Sequence, residues 1–137
     1  LWAPGPICRL QEDATGVYSP RLYRQFLQPV DRRIAQRFSH CFIHLHSTSM
    51  FLLDAFLEIE ELTCLEINYD ASGPTLEEMM PYYRRVQQEG RSLVVRGSFT
   101  PDEARLLRDG LDARGLYLFI LIKDLSEMAP LRAILGL

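Results

Sequence analysis

Between residues 41 and 122 the chain alternates short apolar runs with longer segments of helical period. CFIHLH (41–46), LTCLEINY (62–69), SLVVRGS (92–98) and GLYLFILI (115–122) predict four strands, since each is short, rich in β-formers and bounded by turn or polar residues. A helical pattern follows each of them. SMFLLDAFLEI reads as an apolar helix, and TLEEMMPYYRRVQQEG carries acidic residues in its first turn with Gly90 placed to end it. TPDEARLLRDGL opens with Thr100, Pro101 and Glu103 as a capping box, and Ser126 is placed to cap a closing helix to about residue 135. Ahead of the first strand, SPRLYRQFLQPVDRRIAQRF (19–38) has an N-cap serine followed by a proline at the first helical position. Leu22, Phe26, Val30 and Ile34 recur there at helical spacing, with Pro29 set to kink the segment or end its first part. The pattern predicts an α/β fold of four consecutive βα units with parallel strands and right-handed crossovers. A small doubly wound domain of the same four strands is the alternative architecture.

Strands of a parallel sheet normally read as near-continuous apolar runs. Here polar residues intrude, and always in the same place. Residues two apart share a face, so Phe42, His44 and His46 lie together, as do Glu66 with Asn68 and Arg96 with Ser98. In the fourth strand Tyr117, Phe119 and Leu121 take the corresponding positions, with Lys123 and Asp124 just beyond. An isolated buried charge is costly unless paired, so three strands making the same exception at their C-terminal ends predict a shared polar pocket. A satisfied internal network, for example Glu66 with Arg96, is the plainer alternative. The C-terminal strand ends are also where α/β folds and βα barrels build their sites. That makes His44, His46, Glu66, Asn68, Arg96 and Ser98 the candidate site. His-x-His on a strand aims both imidazoles one way, and an acidic third ligand such as Glu66 would complete an open metal site. Histidines that grip a ligand by hydrogen bonds are the competing reading.

Composition narrows the classes. A chain of 137 residues with 47% apolar and 24% charged residues suits one domain with a sizeable core. A net charge of −3 gives no basic face for nucleic acid. No apolar run approaches the ~18 residues of a membrane span, so no membrane partner is expected. The cysteines, Cys8, Cys41 and Cys64, are odd in number and form no CxxC pair, which argues against a disulfide framework and for a reducing, cytoplasmic setting. GSFTP (97–101) lacks the glycine spacing of a nucleotide-binding loop. The first residue is Leu1 rather than Met, inside a stretch (LWAPGPICRL) that reads as a structured approach, so a fragment or processed form is expected.

Taken together, several segments resemble the uroporphyrinogen decarboxylase superfamily. EDATGVYSPRLYRQFLQPVDRRIAQRF resembles the segment after that family's fourth strand, with an acidic pair, a glycine and a Ser-Pro leading into a helix with an internal proline. HLHSTS stands where the methylcobamide:coenzyme M methyltransferases carry His-x-Cys-Gly, LEINYD resembles the sixth-strand end, and VVRGSFTP resembles the seventh. The resemblance spans nearly the whole chain. It implies the C-terminal half of a (β/α)8 TIM barrel, strands five to eight, with the N-terminal half absent from 1–137. A half-barrel exposes sheet edges, so a homodimer or association with the missing half is expected.

The resemblance further implies a small-molecule substrate, either a tetrapyrrole or a corrinoid-linked methyl donor and its acceptor. The decarboxylase branch works without a metal; the methyltransferase branch uses a zinc held by His, Cys and a second Cys. Here His44 matches the histidine and His46 stands at the first cysteine, while LFILIKDL offers no second cysteine and Asp124 is its nearest acid. Under this resemblance Arg96 would bind a substrate carboxylate, His44 and His46 would act as acid/base groups or metal ligands, and Glu66 would orient them. Asp13, Asn68 and Ser98 would line the substrate. A non-catalytic binding or regulatory module that keeps the fold without the chemistry is the alternative function.

Overall fold

The structure, a computed structural model, describes residues 3–137. Five strands form one sheet: β1 (Ile7–Gln11), β2 (His40–His46), β3 (Leu62–Asn68), β4 (Ser92–Gly97) and β5 (Leu116–Ile120). All neighbours pair in parallel, and the spatial order is the chain order, β1-β2-β3-β4-β5. The α/β class and the four expected strands are therefore present, preceded by a fifth strand in ICRLQ. The order never reverses, so the sheet is singly wound and has no switch point of the doubly wound kind.

Between β1 and β2 run α1 (Pro20–Leu22), a π-helical turn (Tyr23–Leu27) and α2 (Gln28–Ala35). Ser19 caps this segment as its sequence predicts, its hydroxyl accepting from the Leu22 amide at 3.3 Å. The Pro29 signal resolves into a widened turn just before the proline rather than a break. A short α3 (Leu53–Leu57) follows β2 after a 3-10 segment at Ser47–Leu52; α4 (Leu76–Gln88) follows β3 and α5 (Pro101–Gly110) follows β4. Thr100 and Glu103 make the expected capping box, Thr75 and Glu78 make another, and Gly90 takes φ +71° just past α4. The closing helix α6 spans Met128–Leu135, but Ser126 does not cap it. Asp124 does the capping one turn earlier, its carboxylate accepting from the Ser126 amide at 2.8 Å to start a 3-10 turn at Leu125–Glu127.

Right-handed crossovers between sequentially adjacent strands carry every helix to the same side of a sheet. Side-chain burial follows from that. On the helix side Leu10, Ile43, Leu65 and Leu93 stand in one register row and Leu45, Ile67 and Val95 in the next. All join the core with Tyr23, Phe56, Met79, Tyr83, Val86 and Leu107 from the helices. On the opposite side Phe42 and Val94 are buried by neighbouring strands yet lie outside that core cluster, and Tyr117 and Phe119 are 49% and 43% exposed. Among the described residues no helix packs its side chains into this second face, so polar side chains can stand on it.

The segment over 20–35 departs from its simplest reading. The side chains it buries are Tyr23, Gln28, Asp31 and Ala35, whereas Leu22, Phe26, Val30 and Ile34 are exposed. Tyr23 stacks obliquely on Phe56 with ring centroids 4.6 Å apart, and its hydroxyl donates to Asp31 Oδ2 at 2.7 Å. Among the described residues no helix is long and apolar enough to cross a membrane.

Candidate functional site

Strand register brings the polar residues together at one end of the uncovered face. Gln11, His44, Glu66 and Val94 form one cross-strand row, and His46, Asn68, Arg96 and Phe119 form the next toward the C-terminal ends. Both histidines are fixed through the same ring atom. His44 Nδ1 lies 2.8 Å from Glu66 Oε1, both side chains buried, and His46 Nδ1 lies 2.9 Å from Asp70 Oδ1. A carboxylate only accepts hydrogen bonds, so Nδ1 of each ring donates in these two contacts. The two imidazoles meet edge to face, centroids 5.1 Å apart at 86°.

Asp13 faces this pair from the 3-10 turn Asp13–Val17 just after β1. His46 Nε2 stands 3.4 Å from Asp13 Oδ1, and one donor atom from each of Asp13, His44 and His46 lies within 4.8 Å of the others. The turn is anchored by Thr15, whose hydroxyl donates to the Glu12 carbonyl at 2.6 Å and lies 3.1 Å from Ser49 Oγ. Gln11 Nε2 donates to Asp13 Oδ2 at 2.7 Å. That bond, with His46 and His44 nearby, holds the Asp13 carboxyl below the usual carboxylate range against a smaller opposing effect of burial.

Asp70 organises the other side. It accepts from His46, from the side chain of Asn68, and at 3.0 Å from both the amide and the hydroxyl of Ser47. Burial alone would push its carboxyl up, but the bonds from His46, Asn68 and Ser47 together outweigh burial and leave it below the ordinary value. Gly73 is needed here for space, since any side chain would collide with the Ser47 hydroxyl.

The sequence-derived candidates thus separate into three groups. Asp13, His44, His46, Glu66 and Asn68 converge. Glu66 Oε1 is taken by His44 Nδ1, with Arg9 Nη2 3.8 Å from the same oxygen, and the acid that clusters with the two histidines is Asp13. The Glu66–Arg96 pair envisaged as an internal network does not form; Glu66 pairs with His44 and Arg9. Arg96 sits one strand beyond Asn68, its guanidinium 5.4 Å over the Phe119 ring, and its buried Nε meets no acceptor among the described residues. Ser98 lies past the end of β4, where its hydroxyl is spent on the Leu121 carbonyl at 2.9 Å. Asp124 caps the turn before α6.

Two participants were not visible as site residues from the sequence, Asp70 and Gln11. Asp70 had a weak signal, being the acid that ends LEINYD two positions beyond Asn68. The cysteines take no part. Cys8, Cys41 and Cys64 are free, and burial pushes the Cys41 and Cys64 thiols up to about 12 and about 11, which keeps both protonated near neutrality.

The donor set suits a divalent cation. Two imidazole nitrogens and a carboxylate oxygen are a common open-site combination for zinc, with each histidine backed by a carboxylate through its other nitrogen. Tetrahedral ligands on zinc lie about 3.4 Å apart, which is the His46–Asp13 separation of 3.4 Å.

A scan of protein-family models finds no match to this chain, and no curated protein or solved structure matches it.

Proposed function

We propose that the chain carries the mouth of an active site of the uroporphyrinogen decarboxylase-superfamily type, on the zinc-dependent methyltransferase side of that group. Asp13, His44 and His46 hold a divalent metal, zinc by preference, while Arg96 receives an anionic group of a small-molecule substrate and Asn68 lies between them. A bound metal would supply Lewis acidity, lowering the pKa of a coordinated thiol or water. The chain's own residues do the rest. Glu66 and Asp70 hold Nδ1 of the two histidines, and the Phe119 ring lies beside the Arg96 guanidinium, whose unpartnered Nε is a donor for a carboxylate or phosphate.

One observation carries this reading: both imidazoles commit Nδ1 to a carboxylate, and both cluster with Asp13, which lies 3.4 Å from His46 Nε2. Histidines that only gripped an organic ligand would not need matched anchoring of that kind. A non-catalytic binding module is the second reading, favoured by the absence of any cysteine beside His44 and His46.

The test is zinc titration of the metal-free chain by calorimetry, with elemental analysis after dialysis. One zinc per chain is expected, lost in His46→Ala and weakened roughly 10- to 100-fold in Asp70→Asn. A chain that retains no zinc, or an His46→Ala variant that binds it as well, removes the metal centre and leaves the binding-module reading.

A further inference from the structure

Three cysteines stand in the sheet, and two of them face each other. Cys8 in β1 and Cys41 in β2 are direct partners in the parallel register. Both belong to the helix side: Cys41 is 1% exposed within the core cluster, and Cys8 packs against that cluster while staying partly open to solvent. Cys64 does not join them. It pairs with Phe42 in the register of β2 with β3 and shares the bare face with Glu66 and Asn68. Either Cys8 or Cys41 alone would be a small apolar filler; their pairing is what makes chemistry available.

Adjacent strands run about 4.7–4.9 Å apart, and disulfides join Cα atoms about 4.4–6.8 Å apart. The register therefore sets this pair within reach. Cβ atoms in a disulfide approach to about 3.5–4.5 Å, so one strand must give slightly. β1 is the strand that can: among the described residues it pairs with β2 alone, and it shifts without breaking a second ladder. The two thiols are also unlike. Burial pushes Cys41 up, and Cys8 beside it adds to that, by repulsion between the sulfurs as anions and by a hydrogen bond. Asp31, buried in the same layer, acts in the same direction. Cys41 thus stays a thiol near neutrality, and the sulfur that an oxidant reaches first is the partly exposed Cys8.

We propose that Cys8 and Cys41 form a reversible oxidation site, closed to a disulfide by a hydroperoxide. With hydrogen peroxide, the Cys8 thiolate attacks one oxygen and the O–O bond breaks. Cys8 becomes a sulfenic acid, and the departing hydroxide takes up the proton that Cys8 gave away. The Cys41 sulfur then attacks the Cys8 sulfur. The S–S bond forms, the S–O bond breaks, and the Cys41 proton leaves with the hydroxyl as a second water. Two thiols have lost two electrons to one peroxide. The product is a covalent latch that ties the edge strand β1, and the Asp13 turn that follows it, to the strand bearing His44 and His46. The latch does not depend on a bound metal, and either proposal can fail without the other.

The test treats the 137-residue chain with a small excess of hydrogen peroxide, then counts thiols in denaturant and maps peptides without reductant. Wild type should fall from three free thiols to one, with the Cys8 and Cys41 peptides linked, and dithiothreitol should restore all three. Cys64→Ala should lose both of its thiols, and Cys8→Ser should keep both. The oxidised wild type should melt about 5 °C higher than the reduced form, because the link closes the chain between residues 8 and 41. The linkage is read on the wild type, so a variant that fails to fold leaves the result intact. A link through Cys64, a disulfide between two chains, or Cys8 carried on to the sulfinic acid with Cys41 still a thiol would overturn the proposal. So would three thiols surviving the peroxide, or an oxidised chain that melts no higher than the reduced one, since the linked geometry would then not be the native pair.

Discussion

The two faces of the sheet are made by the same five strands and obey different rules. On the helix face every inward position of β2, β3 and β4 is apolar, from Ile43 and Leu45 through Leu65 and Ile67 to Leu93 and Val95, and each is wholly buried. On the bare face His44 and His46, Glu66 and Asn68, and Arg96 stand at the C-terminal ends of β2, β3 and β4. Transfer of apolar surface out of water settles the first face almost by itself. The second is settled by pairing, since His44 and Glu66 are both buried there and each would be costly without the other. The helix face explains why the chain folds; the bare face gathers the polar cluster.

The sharpest way to break this contrast is a truncation on the helix side. Leu65→Ala should cost about 2–5 kcal/mol in urea unfolding, while Tyr117→Ala on the bare face should stay within about 0.5 kcal/mol. Comparable losses would mean that the bare face is as tightly packed as the core. Next comes Glu66→Ala, expected to cost about 1–3 kcal/mol by leaving the His44 Nδ1 proton unpaired in a buried place. Combined with His44→Ala the two losses should fall well short of adding, and simple additivity would show that the pair is not a unit.

The smallest effect concerns Glu12, at the boundary between the faces. Burial, reinforced by the neighbouring Asp31, pushes its carboxyl up to about 7. Between its ordinary value of 4.5 and about 7 the folded chain holds a proton that the unfolded chain has released. Folding therefore takes up a proton, and stability declines as the pH rises through that window. Glu12→Gln should flatten this decline in a pH series of melts; an unchanged slope would assign it to other groups.

Most of the helix face was legible from the chain, because burial on two sides leaves long apolar runs. β1 was not. ICRLQ is short, follows Pro4, Gly5 and Pro6, and as an edge strand is only partly covered, so it needs no continuous apolar run. The polar ends of β2, β3 and β4 were legible as exceptions to the apolar rule, and register places most of them together. What the pattern could not reveal was direction within the cluster. Whether Glu66 or Asp13 clusters with both histidines depends on a turn after β1, and Asp70 acts from a loop where an acid is unremarkable. The 20–35 segment shows the same gap: periodicity located an apolar row but could not say that the sheet buries a different one.

The strand order has a consequence for how the molecule is made. Each strand pairs with the one synthesised immediately before it, the first residues of successive strands being Ile7, His40, Leu62, Ser92 and Leu116. No pairing waits for a distant part of the chain, so the entropy of loop closure is met in small instalments. The sheet can grow at its β5 edge one βα unit at a time as the polypeptide leaves the ribosome. The Asp13, His44 and His46 cluster would be completed early in that sequence, once β3 and Asp70 have docked, before the last two strands exist.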